Sequence, residues 1–250
     1  MRFIRTGLAC TAVLLVALTA GTATSAAAEG PFYKVKGARL VGNKAFAAAA
    51  EAEYVFKVKI FTVEGTVKCK EMTVGAGSVI TGLNTKSSDT SEQTIILKMC
   101  VVENNGTGCT VEGNEIKTNA LIGVLAYSEA GRKGEIMELL HPKVGKEIVN
   151  IKFVGAGCFV REGKLEGSFA GEVLTKARRN ILVEGTQAEE ATAVTKFPVE
   201  PIKKVWIEVA GVEKEEPVAL TFGGAEAKMK GESLVGNVNG MMETFSVYTK

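Results

Sequence analysis

The stretch YVFKVKIF, residues 54–61, carries the alternation that decides the fold class. Apolar side chains occupy every second position, at Tyr54, Phe56, Val58 and Ile60. Lys57 and Lys59 lie between them. Because successive side chains of a β-strand point to opposite faces, this period of two predicts a strand with one buried face and one exposed face.

The same period recurs later in the chain. EIVNIKFV and KKVWIEVAG each place three apolar residues on one face, respectively Val149, Ile151, Phe153 and Val205, Ile207, Val209. Glycine-bearing breaks separate such runs as turns. The pattern predicts an all-β fold, an antiparallel sandwich or barrel, and leaves the choice between these two open. Alanine-rich residues 43–54 favour a helix by propensity but lead directly into a strand, so both alternatives stay open there.

The first 28 residues have the features of a secretory signal peptide. Arg2 and Arg5 precede an apolar run, and small residues follow it up to Ala28, where we expect cleavage. The apolar run is shorter than the roughly 20 residues that span a bilayer, which disfavours a membrane anchor. We therefore predict a signal peptide at 1–28 and a disulfide-stapled β domain at 29–180. Residues 181–250 would add strands that complete this domain, with a second small sheet as the alternative.

The predicted mature chain is formally neutral. The full sequence has 30 basic and 28 acidic residues, and Arg2 and Arg5 leave with the signal peptide. A nucleic-acid-binding arm or an acidic tail would contain a run of five or more like charges, and no such run occurs. Nucleic acid is therefore not an expected partner. An apolar content of 46% is that of an ordinary folded domain.

An even number of cysteines remains after the predicted cleavage, because Cys10 leaves with the signal peptide. The four are Cys69, Cys100, Cys109 and Cys158. In an exported chain an even number of cysteines predicts disulfides, here two. Zinc ligands and thioredoxin-type redox sites usually include a C-x-x-C pair, and the sequence contains none.

The pairing follows from KMCVVENNGTGCTV, residues 98–111. An apolar β-branched run, a turn-forming ENNGTG segment and a second extended run predict a hairpin. Cys100 and Cys109 lie on its two arms near the tip, so we expect them to bond. By elimination Cys69 then pairs with Cys158.

Several segments taken together carry a family resemblance. They are PFYKVKGARL at the mature start, CTVEGNEIKTNALIGVLAY from Cys109, IKFVGAGC and KLEGSFAGEV. Over nearly the whole mature chain the sequence resembles an uncharacterised family of exported proteins of high-GC Gram-positive soil bacteria. The four cysteines fit the pattern of that family. The resemblance implies secretion, the two disulfides and a β fold, and it adds no catalytic residue.

The residues needed for enzyme chemistry are scarce. A hydrolytic triad needs a nucleophile, a base and an orienting acid. The chain has one histidine, His141, and one aspartate, Asp89. Two glutamates could act together as in glycoside hydrolysis, but most glutamates alternate with lysine on expected solvent faces. We predict no enzyme activity and no catalytic, cofactor-binding or metal-binding residue.

Three classes of function follow, and the first is preferred. It is a secreted or cell-wall-associated, non-catalytic structural or binding protein, whose partner would be cell-wall carbohydrate or another protein. The second is a carrier that encloses a small apolar ligand in a β-barrel cavity of about 300 Å³ or more. The third is a glutamate-based glycoside hydrolase, which needs two carboxyl groups within about 5 to 10 Å.

Overall fold

The computed structural model describes residues 30–35, 38–60, 63–131, 133–183, 186–198, 200–236 and 245–248. The fold is all-β: strands make up 69% of the structure, and no α-helix occurs among the described residues. A single turn of 3-10 helix covers Glu112–Asn114. The predicted signal peptide at 1–28 lies outside the described residues.

The strands follow one another with short connections. The first eleven are β1 (Phe32–Val35), β2 (Ala38–Arg39), β3 (Gly42–Ala45), β4 (Ala47–Ile60), β5 (Val63–Val74), β6 (Val79–Gly82), β7 (Thr90–Gln93), β8 (Ile95–Glu103), β9 (Thr110–Val111), β10 (Glu115–Lys117) and β11 (Leu121–Glu129). The next ten are β12 (Lys133–Pro142), β13 (Glu147–Val154), β14 (Glu162–Gly167), β15 (Phe169–Val183), β16 (Thr186–Phe197), β17 (Lys204–Val209), β18 (Val212–Pro217), β19 (Leu220–Phe222), β20 (Ala225–Gly236) and β21 (Phe245–Tyr248).

Eight antiparallel strands close a barrel, which decides between the two architectures left open by the sequence. Each strand is hydrogen-bonded to the next in the order β4, β5, β8, β9, β13, β14, β19, β20, and β20 returns to β4. Closure removes the exposed edges that an open sheet would present to other chains. We call this ring the first circuit.

The longer strands continue beyond the first circuit into a second one. β20 also pairs with β16, and the ladder then runs through β15, β12, β11, β7 and β6 to β3. β3 and β4 are separated only by Phe46, so the path closes again at the β4–β20 pair. The second circuit thus shares β4 and β20 with the first. A small sheet of β2, β1 and β21 lies apart from this ladder.

The alternation in the second half of β4 is confirmed. Tyr54, Phe56 and Val58 are buried, whereas Lys57 and Lys59 are exposed. The face predicted for β13 is buried as well.

The face predicted for β17 is only partly correct. Val205 is buried, but Val209 is 51% exposed and Glu208 is buried in its place. The reason is that β17 forms an outer hairpin with β18. The backbone N–H of Glu208 donates to Ser88 Oγ at 3.0 Å, which holds the Glu208 end of the strand against the 87–88 loop.

Residues 43–54 form strands, not a helix. Alanines 47 to 50 lie in β4 and pair across the barrel closure with β20, for example Ala48 with Val235. Helix propensity is a weak preference that tertiary pairing overrides. The ladder to β20 supplies hydrogen bonds to a backbone whose small side chains would bury little surface in a helix.

The disulfide pairing predicted from the sequence is wrong, although all four cysteines are bonded. Cys69 pairs with Cys100, and Cys109 pairs with Cys158. Cys69 and Cys100 are direct cross-strand partners on β5 and β8, with Cα atoms 4.0 Å apart. The first bridge therefore joins two adjacent strands of the first circuit.

The register between β8 and β9 explains why Cys100 and Cys109 do not form the predicted bridge. β8 and β9 pair at Val101 and Thr110, which sets Cys109 two positions out of line with Cys100. β9 also pairs with β13, and the chain that follows β13 brings Cys158 to Cys109 with Cα atoms 4.9 Å apart. The turn residues between the two cysteines predicted a reversal of the chain but not its register.

Candidate functional site

A gap in the barrel wall lies between the start of β15 and the middle of β20. At one end of the gap β19 pairs with both β14 and β20, and at the other end β16 pairs with both β15 and β20. β19 begins at Leu220, and β16 ends at Phe197. Among the residues that the structure describes, no strand fills the wall between these two points. This gap is called the lateral window below.

Prolines border the lateral window. Pro198 directly follows β16, Pro201 lies three residues later, and Pro217 ends β18 just before β19. Proline has no backbone N–H and cannot donate to a β-ladder, so it is restricted to edges and strand ends. The prolines of FPVEPIKK therefore lie where β16 has ended, and the proline of KEEPVAL lies at the end of β18.

The lateral window forms an apolar cavity of about 420 Å³. Its floor consists of buried side chains, those of Phe169, Ala170, Phe197, Leu220, Ala227 and Met229. Half-buried Ile202 and Val218 also line it. Small-molecule sites are typically concave, mostly apolar and about 300–1,000 Å³ in volume, and this cavity lies within that range.

The floor of the window is shared with the barrel interior. The rings of Phe169 and Phe197 pack edge to face with centroids 5.4 Å apart, and the Tyr54 ring lies 6.3 Å from Phe197. Phe169 and Met229 also border a cavity of about 10 Å³ inside the first circuit. Phe197 borders one of about 20 Å³ inside the second. A group bound in the window would therefore contact side chains of the core directly.

Two glycines leave the space that the Phe197 and Tyr54 rings occupy. A Cβ atom on Gly171 would lie 2.8 Å from ring carbons of Phe197, and one on Gly231 would overlap the Tyr54 ring. Both glycines lie on strands that frame the window, β15 and β20. The absence of a side chain at these two positions thus allows the aromatic floor to form.

The rim of the window is polar and carries both charges. Ser168 Oγ lies 3.4 Å from both Pro217 O and Ala219 N, which fixes the approach to β19. Lys203 and Glu226 line the opening and are exposed. An apolar floor with a mixed polar rim suits a ligand with an apolar body and a polar end.

A second polar group lies deep inside the second circuit. Glu138 is buried and receives hydrogen bonds from Ser91 Oγ at 2.8 Å, Gln93 Nε2 at 3.4 Å and Thr195 Oγ1 at 3.3 Å. Burial raises the pKa of the Glu138 carboxyl, and the hydrogen bonds from Ser91 and Thr195 oppose this rise. Among the described residues, no cationic side chain lines the 20 Å³ cavity beside it.

In the part of the chain that the structure describes, neither location brings two carboxylates together. Glu226 is the acid that lines the lateral window, and Glu138 is the acid that lines the small interior cavity. The described residues contain no group of three or more His, Cys, Asp and Glu that could hold a metal ion.

His141 and Asp89, the single histidine and the single aspartate of the chain, both contact the backbone of the fold. His141 is half buried in β12, with Nδ1 3.0 Å from Pro142 O. Asp89 is buried in the loop before β7 and accepts backbone hydrogen bonds from Tyr33 at 2.9 Å and Leu83 at 2.8 Å. Desolvation raises the pKa of Asp89. Its carboxylate attaches β1 to the barrel, and β7 follows it directly.

Comparison of the chain with protein-family models, with curated proteins and with solved structures finds no match. Within the described residues, no helix is long and apolar enough to cross a membrane. The site is therefore defined by its geometry alone. The window depends on pairings between strands far apart in the chain, which no local sequence pattern indicates.

Proposed function

We propose that the protein is a non-catalytic extracellular binding protein that holds the apolar part of a ligand in the lateral window. The observation that carries this proposal is the apolar cavity of about 420 Å³ at the gap in the wall. Its floor of aromatic, aliphatic and thioether side chains favours an apolar group by removing it from water. Lys203 and Glu226 at the rim supply contacts for a polar end.

The volumes favour the window over an enclosed barrel cavity. The two interior cavities measure about 20 and 10 Å³, room for one water molecule at most. A carrier that encloses its ligand would need roughly 300 Å³. The ligand would thus enter from the side and remain partly exposed.

Two features support an extracellular location. The sequence predicts a signal peptide at 1–28, and the two disulfides are of the kind that persists in oxidising environments. We extend the proposal to association with the cell wall, with carbohydrate or protein as the partner.

The test uses the neutral apolar fluorophore N-phenyl-1-naphthylamine as a probe. Ala219 is exposed and lines the window, so Ala219→Trp would place an indole in the opening. Ala76, in the exposed turn between β5 and β6, provides the matched control Ala76→Trp. We expect saturable binding of one probe per chain to the wild type and to Ala76→Trp, and at least tenfold weaker binding to Ala219→Trp. Equal binding to both variants, or no saturable binding to the wild type, would refute the window as the site.

A further inference from the structure

Two loops at one end of the first circuit are tied together far more tightly than surface loops usually are. Residues 104–109 follow β8, residues 155–160 follow β13, and the Cys109–Cys158 disulfide joins them. We call these twelve residues the clasp.

A buried asparagine makes the second tie in the clasp. Asn105 Nδ2 donates to Val160 O, and Asn105 Oδ1 accepts from Val160 N, both at 3.0 Å. The backbone N–H of Phe159 donates to Asn105 O at 3.0 Å. Asn105 is fully buried, and its amide oxygen and nitrogen are both used in these bonds.

Backbone contact between the loops makes the third tie. A Cβ atom on Gly106 would overlap the carbonyl of Gly157, and one on Gly155 would overlap the carbonyl of Gly108. Gly106, Gly108 and Gly155 also have positive φ, a region that favours glycine. Larger residues at these contacts would force the two loops apart.

These ties fix the backbone on both sides of one exposed aromatic residue. Phe159 is 67% exposed, although it lies between the disulfide-bonded Cys158 and the hydrogen-bonded Val160. Because the loop is ordered on folding, a partner that contacts Phe159 need not order it again. Rigid exposed aromatic side chains are a recurrent source of binding energy at interfaces.

Apolar groups lie next to the clasp, and one charged residue lies at each boundary. Glu103 pairs with Lys68, and the Arg161 guanidinium donates to Gly155 O at 2.9 Å. Val101 on β8 and Val154 on β13 are 48% and 41% exposed, and both pair with Thr110 of β9, so the three residues form one cross-strand row. Asn104 and Thr107 are exposed within the clasp and add amide and hydroxyl groups.

None of the twelve clasp residues is charged, in a chain of which 23% is charged. A nucleic acid or an anionic lipid surface would be recognised by clustered cations. A neutral surface with an aromatic face and nearby hydroxyl and amide groups suits a polyhydroxylated ligand. The C–H groups of a sugar can pack on the negative face of a phenyl ring, and its hydroxyls can hydrogen-bond to Asn and Thr.

We propose that the clasp is a glycan-binding surface, with Phe159 as the residue on which a sugar ring stacks. This site is separate from the lateral window and gives the proposed wall association a location on the molecule. The two proposals can fail independently, because Ala219→Trp changes the window and not the clasp, and Phe159→Ala changes the clasp and not the window.

The test is co-sedimentation of the full chain with insoluble cellulose, chitin and purified peptidoglycan. The variants are Phe159→Ala, Phe159→Tyr and the control Val144→Ala, which removes another exposed apolar side chain, 84% exposed, from the turn before β13. We expect at least one polysaccharide to retain the wild type, Phe159→Tyr and Val144→Ala. The apparent association constant of Phe159→Ala should fall at least tenfold. Melting temperatures equal to that of the wild type would show that each variant is folded.

Two results would overturn the proposal. One is that none of the three polysaccharides retains the wild type. The other is that Phe159→Ala is retained as well as the wild type. Sedimentation velocity gives a third readout: if Phe159→Ala abolishes self-association while retention is unchanged, the clasp is a contact between two copies of the chain and not a glycan site.

Discussion

The two circuits of the barrel share β4 and β20 but differ in what fills and ties them. Both disulfides involve strands or loops of the first circuit, and its interior cavity is lined by apolar side chains apart from Thr118. The second circuit has no disulfide among its described strands, and its cavity contains Glu138, Gln93, Thr195 and Ser233. The stability of the first circuit should therefore depend on covalent ties and burial, and that of the second on a polar network sensitive to pH.

Among these predictions, the largest expected loss of free energy of unfolding comes from removing the Cys69–Cys100 disulfide. Its cysteines are 31 residues apart, for which the chain-entropy estimate is about 4 kcal/mol. We expect the double variant Cys69→Ala, Cys100→Ala to lose about that much free energy of unfolding, as measured by urea denaturation. Val144→Ala, which removes an exposed side chain, should be neutral. A loss below about 1 kcal/mol for the double variant would show that the wall of the first circuit is stable without the disulfide.

An intermediate effect is expected within the clasp. Asn105→Ala leaves the N–H and C=O of half-buried Val160 without their side-chain partners, and unsatisfied groups removed from water cost about 1–3 kcal/mol. Thr107→Ala, at an exposed position of the same loop, is the control. We expect Asn105→Ala to lower the free energy of unfolding by about 2 kcal/mol and to increase amide hydrogen exchange in residues 155–160. Equal stability of the two variants would contradict the structural role of Asn105.

The smallest and most diagnostic effect concerns Glu138. Because its pKa is raised in the folded protein, the folded state retains a proton that the unfolded state releases above about pH 4.5. The wild type should therefore lose stability relative to Glu138→Gln as pH rises from there to the folded-state pKa. The change is at most about 1.4 kcal/mol per pH unit for a single group. The pKa of Asp89 is also raised, but Asp89 is present in both proteins, so its contribution cancels in the comparison. Parallel pH profiles would show that Glu138 has the same pKa folded and unfolded.

The sequence predicted the kind of structure better than its connections. The alternation at Tyr54, Phe56 and Val58 is local, and the burial of these residues confirms it. Sandwich and barrel could not be told apart, because the difference rests on the pairing of β4 with β20. The disulfide pairing failed for a related reason: the register of β8 against β5 and β9 is set by the whole wall, not by the turn between two cysteines.

The candidate site was even less accessible from the sequence. Pro198 and Pro217 indicate where strands end, but not that both ends border the same gap. Glu138 is buried and is an exception to the expectation that most glutamates lie on solvent faces. Gly123 explains how it fits, since a Cβ atom there would clash with the Glu138 carboxylate. No local pattern distinguishes such a glycine from one in a turn.

The β4–β20 pairing also bears on how the molecule folds. It joins Ala47 to Gly236 and Val58 to Ala227, so nearly the whole described chain must be present before the wall can close. Contacts of such long sequence separation give a high contact order, and proteins of this kind fold slowly, on the scale of milliseconds to seconds or longer. Until closure, β4 and β20 each present an unpaired edge. The interval before they meet is therefore the stage at which the chain is most exposed to aggregation.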